Sequence, residues 1–302
     1  MTSFPFSRRA PMLVSFAVAA GVLIVFAFGP AIAVAFVSLT DLKALPGLPV
    51  HWVGIQNYQN YFGPGHRADS LNALRNTMIF AGLTVVAQIG LSLLVATLLN
   101  RRLVGRNFYR SVVFMPTVLG VTVTALVWSL MLTPFGGPAQ QLLGLFGTES
   151  AFFGDPNIAL YLVIFVQVWM NLGVSVIIFL SGLQAIPEDL YEVAKIDGAT
   201  SRQAFRHITI PMLAPSITAN VLLGIVNAMQ SYQLAFVLAG SGNKAVEVMS
   251  LQVYRLSFGG GKTPTAAVSQ GYAASVSMVQ FVLVAAISLG TMVWLRHRER
   301  VL

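Results

Sequence analysis

Residues 188–211, EDLYEVAKIDGATSRQAFRHITIP, are the longest charged segment of the chain and lie between two strongly apolar stretches. Their order predicts a helix, a turn and a second helix, and we call this segment the elbow. Gly198 can take a positive φ and end the first helix, and Thr200 with Gln203 three positions later forms a capping-box pattern. Crossing a bilayer requires no such element, so the elbow indicates contact with a soluble partner.

The first helix of the elbow carries start signals and an apolar stripe. Pro187 suits the first helical position, and the acidic residues that follow it complement the positive end of a helix. Three residues form a stripe suited to a shallow groove on a partner: Leu190, Val193 and Ala194. The alternative is an ordinary loop between two membrane spans, and the pattern alone leaves both interpretations open.

The composition places the chain in a membrane. Of its 302 residues, 9% are charged and 56% are hydrophobic, whereas a soluble domain carries roughly 25% charge. The chain is therefore predicted to be an all-α membrane protein. It contains no Cys, which excludes disulfides and thiolate metal sites, and we expect no metal site.

Six apolar windows are long enough to cross about 30 Å of hydrocarbon. The first resembles a signal peptide, but its apolar run exceeds the roughly 7–15 residues of such a segment, so we expect an uncleaved span. The windows are 11–39, 76–99, 111–133, 157–183, 208–239 and 264–295. The predicted regions are a terminus at 1–10, the first span at 11–39, an outer loop at 40–75, a core of five spans at 76–295 with a coupling loop at about 184–207, and a basic tail at 296–302. Within the core, 246–258 predicts a short helix on the outer surface.

The distribution of basic residues predicts the orientation of the spans. Six spans place both termini on one side, and that side holds 12 of the 18 Lys and Arg residues. The 12 are Arg8, Arg9, Arg101, Arg102, Arg106, Arg110, Lys195, Arg202, Arg206, Arg296, Arg298 and Arg300. The positive-inside rule makes this side cytoplasmic. We therefore expect both termini and the elbow in the cytoplasm, and no nucleic-acid partner.

The windows have no Asp, Glu, Lys, Arg or His in their interiors. Ion-coupled carriers usually keep such a group within the membrane, and an intramembrane hydrolase needs a base beside its nucleophile. We therefore expect no catalytic residues and no proton coupling. Sodium coupling through carbonyls and hydroxyls stays open. Residues 260–263, GGKT, resemble the end of a phosphate-binding loop, but Leu256 stands where that loop requires Gly. The chain is expected to bind no nucleotide.

Neutral polar side chains form two stripes at helical spacing. They are Gln167, Asn171 and Ser175 on the fourth window, and Asn220, Asn227 and Ser231 on the fifth. One interpretation is hydrogen bonding between helices, which contributes about 0.6 kcal/mol per contact. The other is a path for a neutral, hydroxyl-rich solute, because amides both donate and accept and Trp169 offers an apolar face.

The elbow resembles the EAA loop of the permease subunits of binding-protein-dependent ABC importers. That pattern is E-A-A, three residues, G, nine residues and I-x-L-P. Here it reads Glu192-Val193-Ala194, then Gly198, then Ile208-Thr209-Ile210-Pro211, with every spacing kept. The segments GLQAIP at 182–187, NT at 76–77 and GYAA at 271–274 look like the carbohydrate branch, the maltose-type first permease. The resemblance covers nearly the whole chain.

The resemblance implies a type I ABC importer permease fold with six transmembrane helices, working by alternating access. It also implies a multi-pass protein of the bacterial plasma (inner) membrane. The implied partners are a second homologous permease, two ABC ATPase subunits, an extracytoplasmic solute-binding protein, a neutral sugar-like solute and membrane lipids. ATP and Mg would be used by the ATPases, with no cofactor bound by this chain. The implied ATPase-coupling residues are Glu188, Tyr191, Glu192, Ala194, Asp197, Gly198 and Arg202.

The same resemblance implies residues along a substrate path on the spans that flank the elbow. They are Gln167, Met170, Asn171 and Val174 on one span, and Gly224, Asn227, Ala228 and Ser231 on the other, with Trp169 added for its apolar face. The expected function is import of a sugar or oligosaccharide. The alternatives are an ABC importer permease for glycerol phosphate or another polyol derivative, and a stand-alone secondary carrier or channel.

Overall fold

A computed structural model describes residues 6–45, 47–101, 104–240, 242–259 and 269–301, and side chains within these ranges from 13 to 297. In the described residues the secondary structure is helical, apart from two isolated bridges, Thr40 with Trp52 and Lys43 with Ser269. The prediction of an all-α fold is confirmed. The GGKT segment at 260–263 lies outside the described residues.

The described residues form fifteen α-helices, together with short π-helical and 3₁₀ turns. The α-helices are α1 (Phe6–Leu23), α2 (Gly29–Val37), α3 (Gln56–Phe62), α4 (Arg67–Leu99), α5 (Arg106–Val118), α6 (Val121–Met131), α7 (Pro138–Gly144), α8 (Ala159–Gln184), α9 (Glu188–Ile196), α10 (Ser201–Ala204), α11 (Ile210–Met212), α12 (Ala214–Gln230), α13 (Gln233–Ala239), α14 (Met249–Phe258) and α15 (Gln270–Val301). The turns are π-helical at Ile24–Phe28 and Phe205–Thr209, and 3₁₀ at Phe152–Gly154 and Lys244–Val246.

Within the part of the chain that the structure describes, four continuous helical segments are long and apolar enough to cross a membrane. They are Leu13–Val37, Arg67–Leu99, Ala159–Gln184 and Gln270–His297. Two bent pairs meet the same criterion, Arg106–Val118 with Val121–Met131 and Ser201–Met212 with Ala214–Gln230. Counting each pair as one span gives the six spans that the sequence predicts.

The third and fifth windows are not single straight helices. α5 and α6 meet at a bend of 101°, where Leu119 and Gly120 are extended. Pro116 lies in the last turn of α5 and lacks the backbone N–H that a helical hydrogen bond requires, which weakens this end of the helix. A bend of 64° separates 201–212 from α12, and Pro215 occupies the first turn after it. The fifth window breaks again at Ser231, which is extended, so α13 is a separate helix.

Other boundaries also differ from the sequence pattern. The predicted outer loop at 40–75 contains α3 and the first turns of α4, which begins at Arg67 rather than at 76. α15 continues to Val301 and so includes most of the predicted tail at 296–302. The helix predicted over 246–258 is present as α14.

α4 and α8 form the centre of the bundle. At the end near the elbow, which we call the elbow end, a buried cluster joins α4 to α8 and to the residues on both sides of the elbow: Ala96, Leu99, Val176, Phe179, Leu183, Ile186 and Leu213. α5 lies close to α8 at Gly173, where a Cβ would be 3.0 Å from the Val113 carbonyl oxygen. Small residues allow membrane helices to approach in this way. These contacts anchor the elbow in the rigid part of the fold.

Candidate coupling and transport site

The turn at the middle of the elbow has the geometry that the sequence predicts. Gly198 has φ +77°, a conformation that costs residues with a Cβ roughly 1–2 kcal/mol. Its amide donates to the Lys195 carbonyl at 3.2 Å, and the Ala199 amide donates to the Ala194 carbonyl at 2.9 Å. These bonds close the last turn of α9 and redirect the chain toward α10.

α10 begins with a side-chain cap, whereas α9 begins without one. In the capping box, the Thr200 amide donates to Gln203 Oε1 at 2.8 Å and the Gln203 amide donates to Thr200 Oγ1 at 3.4 Å. Pro187 is the residue before α9 rather than its first helical residue, because its ψ of 133° is not helical. Glu188 and Asp189 lie in the first turn of α9 and Lys195 in the last, and each sign of charge suits that end of the helix dipole.

α9 is attached to the bundle by one face and exposes the other. Tyr191 is half-buried and packs against the buried cluster at the elbow end. Its hydroxyl is 2.9 Å from Thr209 Oγ1. The exposed fractions are 40% for Leu190, 57% for Val193 and 84% for Ile196. Ala194, which the sequence places in the same stripe, is half-buried instead. The exposed apolar edge is therefore formed by Leu190, Val193 and Ile196.

The charged coupling candidates lie around this apolar edge, and the acidic and basic ones occupy different positions. Four acidic residues of the elbow are exposed: Glu188, Asp189, Glu192 and Asp197. Arg202 is exposed on α10 and lines a cavity on the inner, concave side of the elbow, together with Ala194. The elbow thus presents apolar and acidic side chains outward, whereas Lys195 and Arg202 line the inner cavity.

The two polar stripes meet each other inside the bundle. Ser231 Oγ donates to Gln167 Oε1 at 3.1 Å, and Asn171 Nδ2 donates to the Gln167 carbonyl at 3.0 Å. Deeper toward the elbow, Gln88 Nε2 of α4 donates to Ser175 Oγ at 2.6 Å, and Asn220 Nδ2 donates to the Ser216 carbonyl at 3.2 Å. Hydrogen bonding within the fold therefore accounts for Ser175 and Asn220, and in part for Gln167.

The path candidates fall into buried and accessible groups. Gln167, Gly224 and Ala228 are buried, and a Cβ on Gly224 would be 3.3 Å from Val85 Cγ2 of α4. Asn227 and Val174 are exposed, and the exposed fraction of Val174 is 49%. The remaining path candidates are half-buried: Trp169, Met170, Asn171 and Ser231. Gly224 and Ala228 thus face the core of this subunit, while Asn227 and Val174 are open to an arriving molecule.

Residues 88–298 match the family described as "Binding-protein-dependent transport system inner membrane component". The chain belongs to this family. The matched residues include the elbow, α8 and α12, whose geometry is given above.

Individual relatives match over most of this permease. It is 30% identical to the multiple sugar-binding transport system permease protein MsmF of Streptococcus mutans, over 88% of each chain. It is 32% identical to the sn-glycerol-3-phosphate transport system permease protein UgpA of Agrobacterium fabrum, over 78% of this chain and 80% of that one. A crystal structure of a bacterial ABC transporter that imports the acidic polysaccharide alginate has a chain with the same fold, with a TM-score of 0.78, 20% identity, and coverage of 97% and 96%.

Sequence reasoning missed an aromatic cavity beside the break after α12 of the permease. The cavity has a volume of about 380 Å³. Its lining is Gln230, Tyr232, Ser250, Val253, Tyr254, Ser257, Phe258, Ser277, Gln280, Phe281 and Val284. The rings of Tyr232 and Tyr254 stack at 4.9 Å, and Ser250 Oγ donates to the Ser231 carbonyl at 2.9 Å. Among the described residues the lining contains amides, hydroxyls and aromatic rings and no Asp, Glu, Lys, Arg or His, so it suits a neutral solute.

The permease also holds a buried acid at the end opposite the elbow. Glu247 is 1% exposed and lies 3.3 Å from Lys244 Nζ, which pairs with Asp69 at 2.8 Å; Arg255 forms a further ion pair with Glu247. Burial raises the pKa of Glu247, and the charges of Arg255 and Lys244 oppose this rise. This network fixes the segment before α14 to the start of α4.

Glu247→Gln is expected to destabilise this end of the permease by about 3 kcal/mol, as loss of one member of a buried ion pair does. Removal of one partner of a buried ion pair costs about 3–5 kcal/mol. We expect the lower end of this range because Lys244 keeps Asp69 as a partner. Thermal unfolding of the purified protein measures the effect. Glu149→Gln is the matched control, since Glu149 is exposed, and equal stability of both variants would contradict the prediction.

Proposed function

We propose that this permease is the membrane subunit of an ATP-driven importer for a neutral sugar or oligosaccharide. The observation that carries the coupling role is the exposed edge of α9 formed by Leu190, Val193 and Ile196. A contiguous apolar edge with an acidic border is typical of a protein interface. The edge stands on a helix that ends in the Gly198 turn and is hydrogen-bonded to Thr209 through Tyr191, so a force applied to it reaches the spans.

The proposed assembly contains a second homologous permease, two ABC ATPase subunits and an extracytoplasmic solute-binding protein. ATP and Mg²⁺ are bound and used by the ATPases, and this chain performs no bond chemistry. Both termini and the elbow lie in the cytoplasm, as the positive-inside rule indicates. The family description, which names a binding protein and the inner membrane, supports this arrangement.

In the proposed mechanism α9 lies in a groove of an ATPase subunit. The ATPase binds α9 differently in its two nucleotide states, and this difference biases the permease between inward- and outward-facing states. Tyr191 transmits the displacement to the bundle through Thr209, and Leu183 and Ile186 transmit it through the buried cluster at the elbow end. Gly198 fixes the angle between α9 and α10.

The solute class rests on the neutral polar surfaces near Ser231. The aromatic cavity and the exposed Asn227 offer hydrogen-bonding groups and apolar rings, the two kinds of surface that a sugar presents. The similarity to MsmF, which is named for multiple sugars, supports the same class. Asn227, Val174, Met170, Asn171 and Ser231 are the proposed path residues.

Asn227→Ala is expected to raise the apparent KM for sugar uptake about 3–10-fold, which corresponds to the loss of one hydrogen bond worth roughly 0.5–1.5 kcal/mol. Initial uptake rates at several sugar concentrations measure the change. Asn107→Ala is the control, because Asn107 is an exposed Asn on α5 at a distance in sequence from α12. An unchanged KM in Asn227→Ala would remove Asn227 from the path.

A second candidate solute is glycerol phosphate, which the 32% identity to UgpA favours. A phosphate group is held by Arg, Lys or helix N-termini. The described lining of the aromatic cavity offers no Arg or Lys, so the neutral solute fits this subunit better. The partner permease would have to supply the cation.

Purification of a tagged permease from native membranes in mild detergent tests this assembly. We expect an ATPase, a second permease and a solute-binding protein to be recovered with it in fixed stoichiometry. Titration of the recovered binding protein with neutral sugars and with glycerol phosphate then distinguishes the two solute classes. Recovery of this chain alone, active without ATP, would support a stand-alone carrier instead.

A further inference from the structure

The concave side of the elbow encloses a cavity of about 1010 Å³. Its walls come from three parts of the chain: the end of α4 with Asn100 and Arg101, the inner face of α9, and residues 199–205 with α10. Thr209 and Leu183 complete the lining near the buried cluster at the elbow end. The cavity therefore lies where the membrane spans meet the elbow.

The polar part of this cavity is basic. Arg101, Lys195 and Arg202 line it, one from each of its three walls, and no Asp or Glu is present among the described residues of the lining. Among the described residues none of the three cations forms an ion pair. The acidic side chains of the elbow are exposed but do not line the cavity. The cations therefore lack a protein counter-charge and are available to an anion.

The apolar part of the cavity belongs to a membrane span. Leu94 and Leu98 of α4 line it and are 56% and 46% exposed. Leu94 precedes Arg101 by seven residues, which places it about 10 Å deeper along the helix. A ligand that fills the cavity therefore meets cations at one level and exposed leucines below them.

We propose that this cavity binds an anionic phospholipid of the phosphatidylglycerol or cardiolipin type. The phosphate lies among Arg101, Lys195 and Arg202, and an acyl chain follows Leu94 and Leu98. Basic pockets between transmembrane helices on the cytoplasmic side bind such head groups. The assignment to the cytoplasmic leaflet rests on the orientation in the proposed function.

The bound lipid has a mechanical consequence for coupling. Its phosphate joins Arg101 at the end of α4 to Lys195 on α9 and Arg202 on α10. Anionic lipid thus holds both halves of the elbow at a fixed position relative to α4. Coupled ATPase activity is expected to be higher in membranes with phosphatidylglycerol than in pure phosphatidylcholine.

Native mass spectrometry of the delipidated complex, titrated with phosphatidylglycerol, tests the site. The variant combines Arg101→Gln with Lys195→Gln, and the control combines Arg106→Gln with Arg206→Gln, which removes the same charge from residues outside the cavity lining. Each cation near an anionic head group contributes about a fivefold gain in affinity. We expect the affinity for phosphatidylglycerol to fall about 25-fold in the variant and to stay unchanged in the control.

Two further arms identify the source of the phosphate. A photoactivatable phosphatidylglycerol should label the end of α4 between Leu94 and Arg101, whereas its phosphatidylcholine analogue should not. Equal loss of binding in variant and control, no loss in the variant, or displacement of the lipid by millimolar inorganic phosphate would each overturn the proposal. Labelling is read from this subunit alone, so it is informative even if no ATPase co-purifies and the proposed function fails.

Discussion

Gly198→Pro is expected to abolish solute uptake while the protein still inserts into the membrane. Gly198 has φ +77°, whereas a Pro ring holds φ near −65°, so α9 and α10 cannot keep their angle. The substitution also removes the amide that donates to the Lys195 carbonyl and disfavours the near-helical backbone of Asp197, the residue before it. Uptake should fall on the order of 100-fold, which corresponds to about 3 kcal/mol.

The control for this substitution is Gly198→Asn. Asn adopts the left-handed conformation more readily than other residues with a Cβ, and no atom lies within 4 Å of a Cβ built at Gly198. This variant should keep most of its uptake at equal amounts of membrane-inserted protein, measured by fluorescence-detected size exclusion. Wild-type uptake by the Pro variant would show that the angle of the elbow does not matter for coupling.

Gly173→Leu is expected to disrupt the packing of α5 on α8 and to lower the yield of folded protein. A Cβ at Gly173 would be 2.7 Å from Thr117 Cγ2, 3.0 Å from the Val113 carbonyl oxygen and 3.1 Å from Phe114 Cδ1. Because one of these atoms belongs to the backbone, the helices must separate, and overpacking of this kind costs about 3 kcal/mol or more. A thermal unfolding curve in detergent measures the loss.

Gly90→Leu is the matched control for Gly173→Leu. Gly90 lies on α4, is exposed, and has no atom within 4 Å of a Cβ built there. Its replacement should leave the melting temperature close to that of the wild type. If both variants unfold at the wild-type temperature, α5 and α8 do not pack as closely as the structure shows.

The elbow could be predicted from the sequence because its signals are local. Positive φ at Gly198 and the capping box of Thr200 with Gln203 depend on residues within a few positions of each other. The sequence pattern predicts the start of α9 one residue early, at Pro187, because Pro is common both before a helix and at its first position. The family resemblance was carried by the same local spacing.

The bends in the spans could not be predicted with the same certainty. Pro116 and Pro215 are visible in the sequence, but a Pro within an apolar window permits either a mild kink or a full break. Whether a kink or a break forms depends on which neighbouring helices provide hydrogen-bond partners for the backbone groups that the Pro leaves unpaired. At Leu119 and Gly120 the chain turns by 101°, a result that hydropathy cannot distinguish from a straight span.

The substrate-path candidates show a second limit of sequence spacing. Spacing places Gly224, Asn227 and Ala228 on one helix, but only the position of α4 reveals that Gly224 and Ala228 are buried against the core. The pairing of Gln88 with Ser175 links residues far apart in the chain. The aromatic cavity was missed for the same reason, because α12, α14 and α15 contribute to it together.

The central claim is that this permease moves its solute only with ATP hydrolysis by its partners. The most direct measurement is uptake of the radiolabelled solute into proteoliposomes that hold the complete complex, with the binding protein outside and ATP inside. Accumulation above the external concentration with ATP and Mg²⁺, and none with a non-hydrolysable ATP analogue, is the predicted result. Equal uptake by liposomes that contain this chain alone, without ATP, would contradict the claim.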